Sequence, residues 1–257
     1  MLWIRRRDRS VDLQRVETTR LHRARIANSA LLRRWYRIQY GKYARRLPPD
    51  GSGAHIELGS GGGFLKEVCP RCITSSYLAA DQAAGLVDRQ LDAQAMSLES
   101  GSADSFFLLD VLHHLEDPEA FFRELARCLK PGGFAYIIEP AATLWGRFLY
   151  ENLHEEGFDR SWPGWGYLGS GPDRRPNQAA AHIIFERDRE AFVRKYPQLV
   201  PRVAAKHTFI AYGVSGGLSF EPILPAWAGS LVGMVESCAR PLSPWLATYM
   251  DILLTRT

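Results

Sequence analysis

A run of glycines after a short apolar segment is the feature of this sequence best suited to hold a ligand. Residues 57–63 read ELGSGGG, so the acid Glu57 precedes three glycines spaced two apart, Gly59, Gly61 and Gly63. Glycine lets the backbone turn tightly and lets a ligand approach with no Cβ in the way. An open α/β sheet binds nucleotide-type ligands at the carboxyl ends of its strands. The loop therefore predicts a site of that type.

Three kinds of nucleotide loop could produce this pattern. A P-loop requires G-x-x-x-x-G-K-[ST], and Lys66 stands at the wrong spacing for it. A dinucleotide loop requires a third small residue, but Phe64 or Lys66 stands there, depending on the glycine from which one counts. The third kind holds a nucleoside with a charged amino-acid tail and no pyrophosphate. Glu57 favours this third kind, because a carboxylate would repel a pyrophosphate but pair through water with an amine or a sulfonium.

Histidines are the second group of residues that could do chemistry. A histidine of near-neutral pKa can remove a proton from a hydroxyl group. His113 and His114 are adjacent, and His154 is followed by Glu155, Glu156 and Asp159. The His154 group could hold a divalent cation, but no two of its ligands have a diagnostic spacing, so we predict no metal site.

The elements that must position these residues alternate between strand and helix from residue 54 to 139. An apolar run at 105–109 is typical of a buried parallel strand, and Asp117 and Pro118 begin a helix as cap and first residue. This alternation predicts a parallel sheet with right-handed crossovers. The predicted strands are 55–58, one within 73–80, one near 86–91, 105–109 and 134–138, and the helices include 62–68 and one from 118.

The flanking parts of the chain have less regular patterns. Residues 17–46 are predicted as one helix, 187–196 and 226–239 as helices, and 203–212 and 249–254 as strands. Residues 140–185 are rich in Trp, Gly, Pro and Arg and have little periodicity, so we interpret them as an insertion that covers the site.

Charge divides the chain into two parts. The 257 residues carry a net charge of +4, but residues 1–46 hold 14 Lys or Arg and 3 acids, or +11, which leaves −7 for the rest. We therefore predict a basic helical arm at 1–50 and one large domain at 51–257. With 46% hydrophobic and 23% charged residues, the composition excludes a collagen-like, disordered or coiled-coil chain.

The cellular setting is inferred from what the sequence lacks. No apolar stretch follows the arginines of the first ten residues, and no run of about 18 apolar residues occurs. The four cysteines are too few for a disulfide scaffold, and Cys69 and Cys72 lack the second pair that a zinc site needs. We expect a cytoplasmic protein, with binding to a membrane surface through the arm left open.

The ordered series of motifs resembles a known family. ELGSGGGF (57–64) is followed by Asp81, by Leu91-Asp92-Ala93, by LLDVLHHLEDP (108–118) and by LARCLKPGGFAYIIEP (125–140). This series resembles the class I S-adenosylmethionine-dependent methyltransferases, in particular their type 11 small-molecule branch. The resemblance implies a Rossmann-like, mostly parallel seven-stranded sheet with helices on both faces, a methyltransferase activity and S-adenosyl-L-methionine as cofactor.

The resemblance assigns the cofactor to residues at the strand ends. The glycine loop, with Ser60 and Phe64, would wrap the methionine part, and Glu57 would lie near its ammonium group. Asp81 would accept both ribose hydroxyls, since two carboxylate oxygens suit two adjacent hydroxyls. Ser76 is the alternative for this position. Asp92 and Ala93 would meet the adenine edge, and Asp110 would lie beside the donor sulfur or cap a turn.

The acceptor side is less specific. His154 is our first candidate for the general base of an O-methyl transfer, because the insertion after the fifth strand is where the acceptor of such an enzyme lies. Its alternative is a charged surface of a lid helix. His113 and His114 are further candidates for the base, or they form part of the framework.

The acceptor is expected to be a small molecule or a glycan- or lipid-linked hydroxyl. The alternatives are an N-, C- or nucleic-acid methyltransferase and a cofactor-binding scaffold. Nucleic acid is disfavoured because no Asn/Asp-Pro-Pro-Tyr/Phe motif follows the fourth strand. The arm is either a solvated helix face, a cover over the cofactor with Trp35, Tyr36, Tyr40 and Tyr43 as walls, or a binding face for an anionic partner. The oligomeric state is not predicted.

Overall fold

The computed structural model describes residues 15–154, 156–171 and 174–257. Seven strands form one sheet. They are β1 (His55–Glu57), β2 (Ile73–Ser76), β3 (Arg89–Gln90), β4 (Ala103–Leu109), β5 (Leu129–Pro140), β6 (Leu199–His207) and β7 (Tyr249–Arg256). Their order across the sheet is β3-β2-β1-β4-β5-β7-β6. The first five are parallel, and β7 is antiparallel to both of its neighbours.

Helices connect these strands. They are α1 (Val16–Asn28), α2 (Ala30–Ala44), α3 (Leu65–Val68), α4 (Ala79–Ala83), α5 (Pro118–Cys128), α6 (Leu144–Asn152), α7 (Ala180–His182), α8 (Arg189–Lys195), α9 (Ala211–Val214), α10 (Gly229–Ala239) and α11 (Ser243–Leu246). Short 3₁₀ turns lie at Leu112–His114, Ala226–Ala228 and Arg240–Leu242, and a π-helical turn lies at Ile183–Arg187.

Both faces of the sheet are covered. Along β4, Phe106 and Leu108 point into a core that includes Phe122 of α5, whereas Phe107 points into a second core that includes Tyr43 of α2. Alternation of this kind follows from the two-residue repeat of a strand. The predicted Rossmann-like sheet with helices on both faces is therefore confirmed.

The predicted N-terminal helix is two helices instead of one. Ser29 has an extended backbone (φ −109°, ψ 104°), and its hydroxyl accepts a hydrogen bond from the amide of Leu32 at 3.3 Å. Serine competes with the helix for backbone hydrogen bonds and so favours such a cap. The buried face of α2 carries Trp35, Tyr40 and Tyr43 against the sheet. The first fourteen residues of the predicted arm lie outside the described residues.

Several predicted boundaries were wrong. The strand at 203–212 instead runs from Leu199 to His207, and the chain then turns at Thr208, whose φ is +59°. The helix at 62–68 is only Leu65–Val68, because the chain still turns through the glycine loop. The helix at 187–196 is α8, which begins at Arg189 after the π-helical turn. The segment at 140–185 contains the regular helix α6, which begins at Thr143 as its cap.

In the part of the chain that the structure describes, no helix is long and apolar enough to cross a membrane.

The cap of α5 gives a test of the fold. The carboxylate of Asp117 accepts a hydrogen bond from the amide of Ala120 at 2.9 Å. We expect Asp117→Ala to lower the free energy of unfolding by about 1 kcal/mol, because the exposed amide loses its acceptor. Asp117→Asn retains an acceptor oxygen and is the control. Urea unfolding of the three proteins measures the difference, and equal losses in both variants would contradict the capping role.

Candidate active site

The glycine loop follows β1 and adopts a conformation that requires glycine. Gly59 and Gly61 have φ values of +65° and +50°, a region that residues with a side chain rarely adopt. A Cβ on Gly59 would also lie 2.7 Å from Cγ2 of Val111, in the loop after β4. The loop is tied to β2 because the amide of Ser60 donates to the carbonyl of Ser75 at 2.8 Å.

The arm formed by α1 and α2 packs directly on this loop. A Cβ on Gly62 would overlap the backbone of His22 and Arg23, and a Cβ on Gly63 would overlap the hydroxyl of Tyr40. Phe64 turns into the core on the arm side, where its ring meets that of Tyr40 with centroids 5.2 Å apart. The contact of Phe64 with the cofactor stays a prediction.

Glu57 is a buried acid with one oxygen that no residue satisfies. Its side chain lies at the end of β1 and receives hydrogen bonds from the hydroxyls of Ser60 and Tyr40. Its Oε2 atom is buried and has no hydrogen-bond partner. Burial raises the pKa of Glu57 to about 8, because the charged form loses its hydration. A cationic group beside Glu57 would supply the missing partner.

Asp81 and Ser76 lie together, although the sequence presented them as alternatives. Ser76 is the last residue of β2, whereas Asp81 lies in α4 and not at the strand end where we had placed it. The Asp81 carboxylate reaches back and accepts hydrogen bonds from Ser76 Oγ at 2.8 Å and from Thr19 Oγ1 of the arm at 3.0 Å. Its Oδ1 atom is buried without a partner. The site at the end of β2 therefore combines both residues.

The residues predicted at the adenine edge lie in a turn after β3. Asp92 is exposed, and its Oδ1 accepts a hydrogen bond from the amide of Gln94 at 2.8 Å, while Ala93 is buried. This turn explains the conformation of Asp92 but leaves its other carboxylate oxygen for a ligand. The adenine contact stays a prediction.

Asp110 follows β4 with a strained backbone. Its φ is +55°, and it is one of two residues other than glycine with a positive φ in the described chain. The hydroxyl of Tyr249 donates to its Oδ2 at 3.1 Å. Burial raises the pKa of Asp110 to about 7, and the nearby Glu139 adds to the shift. A strained residue at a strand end is typical of a functional site.

A buried acid that the sequence analysis missed organises the acceptor side. Glu139, near the end of β5, is fully buried. Its Oε1 accepts hydrogen bonds from the amides of Val111 at 2.9 Å and Leu112 at 2.7 Å. Its Oε2 lies in hydrogen-bond contact with Nδ1 of His113, at 2.6 Å. The signal that could have identified it is an acid directly after the apolar run at 134–138.

His113, His114 and Glu156 form a cluster around one point. His113 Nε2 lies 3.5 Å from Glu156 Oε2, and His114 Nε2 lies 3.7 Å from Glu156 Oε1. One ligand atom from each of the three lies within 4.8 Å of the others, so the cluster could hold a divalent cation. This set differs from the group predicted around His154. The predicted absence of a metal is untested.

The two adjacent histidines differ in charge, since His113 is protonated at neutral pH and His114 is neutral. Burial lowers the pKa of His113, but the hydrogen bonds and negative charges of Glu139 and Glu156 raise it by a larger amount. The pKa of His113 therefore lies well above the ordinary value of a histidine. Burial and the charge of His113 lower the pKa of His114 to about 4. Burial raises the pKa of Glu156, but His113 and His114 lower it more, so it is ionised. At neutral pH, His114 is the neutral ring beside an ionised acid.

His154 is linked to this cluster through Gln178. The ring of His154 is exposed, and its Nδ1 atom is 3.1 Å from Nε2 of Gln178. The same Nε2 atom donates a hydrogen bond to Oε2 of Glu156 at 2.7 Å. The structure thus brings His154 and Glu156 to one region. Asp159 instead accepts hydrogen bonds from the amide and the hydroxyl of Ser161. Glu155 lies outside the described residues. The catalytic role of His154 stays a prediction.

Known proteins share this fold and this sequence pattern. Residues 56–137 match the family model described as a methyltransferase domain. The ubiquinone biosynthesis O-methyltransferase of Parvibaculum lavamentivorans is 28% identical over 138 residues, which are 48% of this chain and 54% of that protein. The protein of the same name from Xanthomonas oryzae pv. oryzae is 33% identical over 105 residues, or 34% of this chain and 44% of that one. The chain thus spans about half the length of the curated relatives it matches.

A solved structure supports the fold over a longer range. An S-adenosylmethionine-dependent methyltransferase from Thermotoga maritima, described as a possible histamine N-methyltransferase, has a TM-score of 0.51 and 14% identity, with 94% of each chain covered. Residues 56–137 thus carry a methyltransferase domain, and the fold of the chain is that of the class I S-adenosylmethionine-dependent methyltransferases. The predicted family and its cofactor, S-adenosyl-L-methionine, are therefore confirmed.

The residues present fit that cofactor. Glu57 Oε2 and Asp81 Oδ1 are buried acceptors without a donor, at the ends of β1 and β2. The cofactor carries an ammonium group and two ribose hydroxyls, which are donors of the required kind. Groups of the cofactor would supply the missing partners of these two carboxylates, and the contacts of Glu57 and Asp81 with it stay predictions.

Replacing Glu57 should change stability and cofactor binding in opposite directions. The ordinary pKa of a glutamate is 4.5, and that of folded Glu57 is about 8. Between these values the folded chain binds a proton that the unfolded chain has released, so Glu57 lowers stability as pH rises. We expect Glu57→Gln to be more stable than the wild type at pH 8 by roughly 4 kcal/mol, with little difference at pH 4.5.

The same variant should bind S-adenosylmethionine about tenfold more weakly, because a charge-assisted hydrogen bond is lost. Urea unfolding at the two pH values and calorimetric titration of the cofactor measure both effects. Glu99→Gln, at an exposed acid in the loop before β4, is the matched control and should change neither. Unchanged affinity in Glu57→Gln would remove Glu57 from the cofactor site.

Proposed function

We propose that this chain transfers the methyl group of S-adenosylmethionine to a hydroxyl group of a small molecule or of a glycan- or lipid-linked acceptor. The observation that carries the proposal is the pair of unsatisfied buried oxygens on Glu57 and Asp81 at the ends of β1 and β2. A buried acceptor atom costs about 1–3 kcal/mol unless something donates to it. Two such atoms at neighbouring strand ends favour a resident ligand with donors at both ends, and disfavour a purely structural protein.

The acceptor side lies at the neighbouring strand ends. The turn after β4 carries Asp110, His113 and His114, and Glu139 of β5 fixes that turn. When bound, the cofactor supplies an electrophilic methyl group on a positively charged sulfur. The chain's own residues must align the acceptor with it, exclude water and take up the hydroxyl proton.

His114 is the group best suited to take up that proton. It is neutral at pH 7, whereas Glu139 and Glu156 keep His113 protonated. Glu156, 3.7 Å from Nε2 of His114, is ionised and would stabilise the imidazolium that forms. His113 is then a positioning residue that holds Glu156. His154 stands further along the same network, through Gln178.

The relatives favour oxygen as the accepting atom. The curated proteins from Parvibaculum and Xanthomonas are both named ubiquinone biosynthesis O-methyltransferases. Their low identity and partial coverage leave the acceptor itself as a class, a hydroxyl compound. No nucleic-acid acceptor is proposed.

Labelled cofactor provides the test. The chain is incubated with S-adenosylmethionine labelled in the methyl group and with fractionated cell extract, and products are identified by mass. We expect label on an oxygen atom of a compound that is not a protein or a nucleic acid. Calorimetry shows in parallel whether the cofactor binds. Binding without any labelled product would support a scaffold and contradict the proposal.

The same assay separates the histidines. We expect His114→Asn to lower kcat at least 100-fold, since general bases contribute about 10² to 10⁴ in rate, while the cofactor Kd stays unchanged. His182→Asn, a partly buried histidine paired with Glu186, is the control. His154→Ala is assayed beside them. A strong loss in His154→Ala with full turnover in His114→Asn would assign the base to His154 instead.

A further inference from the structure

Exposed apolar side chains are concentrated on three helices next to the acceptor side. Of the fifteen large hydrophobic residues exposed in the described chain, ten lie within 144–153 and 223–245. We define the apolar surface by six of them: Leu144, Phe148, Trp227, Leu231, Met234 and Trp245. Trp227 is 80% exposed and Leu144 is 66% exposed. Exposed apolar residues that cluster in this way mark an interaction site.

The helices that carry the apolar surface adjoin one another. α11 packs on α6, and the turn at Arg240–Leu242 joins α10 to α11. On α10, Leu231 and Met234 are three residues apart, and on α6, Leu144 and Phe148 are four apart, so each pair lies on one side of its helix. The helices that carry the surface are therefore joined in the fold through α11, although its residues come from two distant parts of the chain.

The charges of α10 are arranged to leave its outer face apolar. Glu236 is the only charged residue between 226 and 239. Its carboxylate turns toward the protein. There it accepts hydrogen bonds from the backbone amides of Phe209, Ile210 and Ala211 at 2.8–3.0 Å. No acid thus remains on the side of α10 that carries Leu231 and Met234.

Arginines border the same surface. The side chain of Arg34 packs against α10, since a Cβ on Gly233 would lie 3.1 Å from its Nη2 atom. Arg34 of α2 is exposed, and so is Arg240 after α10. The border of the apolar surface therefore carries positive charge.

We propose that this surface docks the protein on an anionic lipid bilayer. Two exposed tryptophans, aliphatic side chains without acids and a border of arginines are the features of a helix that lies in the membrane interface. Anionic head groups complement the arginines. A two-fold contact between two copies would instead bring two sets of arginines to one interface, while Glu236 of α10 is turned inward and Glu151 of α6 is paired with Arg147.

Docking in this way would also place the acceptor side near the bilayer. The buried Tyr150 of α6 donates to the carbonyl of Thr248 at 2.6 Å, one residue before Tyr249, which donates to Asp110. α6 therefore lies between the acceptor side and the apolar surface. This consequence rests on the proposed function, whereas the docking itself does not.

Sedimentation with lipid vesicles tests the docking. The full chain is mixed with vesicles of phosphatidylcholine alone or with added phosphatidylglycerol, at low and at high salt. We expect binding to the anionic vesicles that weakens with salt. The double variant Leu231→Glu with Met234→Glu should bind about tenfold more weakly, because both positions would repel the head groups. Val193→Glu, at an apolar residue of α8 that is 39% exposed, is the matched control and should bind like the wild type.

Three results would overturn the docking. The first is absence of wild-type binding to the anionic vesicles, and the second is equal binding by the double variant. The third is a dimer, detected by light scattering, that the double variant dissociates, since the apolar surface would then join two copies. Cofactor titration on the same samples separates this proposal from the proposed function. Vesicle binding without cofactor binding would contradict only the function, and the reverse would contradict only the docking.

Discussion

The carboxylate of Glu139 holds together the two central strand ends on which the acceptor side is built. It is fully buried, yet it accepts three hydrogen bonds, from the amides of Val111 and Leu112 and from His113. Burying an ion is costly unless its hydrogen-bonding capacity is satisfied, and removal of one partner typically costs about 3–5 kcal/mol. This acid therefore fixes where the turn after β4 lies, and with it the position of Asp110 and both histidines.

The charge states of the site follow from this arrangement. Glu139 helps hold a proton on His113, and burial together with the charge of His113 keeps the adjacent His114 neutral. Burial at the same sheet edge raises the pKa values of Glu57 and Asp110 to about 8 and about 7. Such acids lower stability near neutral pH, and an empty fold would gain by replacing them. A cationic ligand, as proposed, would offset this cost.

The arm connects the cofactor side with the rest of the molecule. Its Thr19 donates to Asp81, its Tyr40 packs over the glycine loop, and its Trp35 donates to Thr208 at the turn after β6. The loop can accept this packing only because Gly62 and Gly63 have no side chain. These contacts pack the arm on the glycine loop, and its role as a cover over the cofactor stays a prediction. Its exposed Arg34 borders the apolar surface.

Local pattern determined much of this protein. The alternation of strands and helices, the cap at Asp117 and the glycine loop are local in the chain, because periodicity and turn chemistry depend on neighbouring residues. Only the tertiary structure decided which acids meet. Ser76 and Asp81 share one site, Glu139 pairs with His113, and Glu156 meets His114 across the insertion. These pairs join distant segments or depend on how the chain folds back, and protonation depends on burial, so no local spacing in the sequence encodes them.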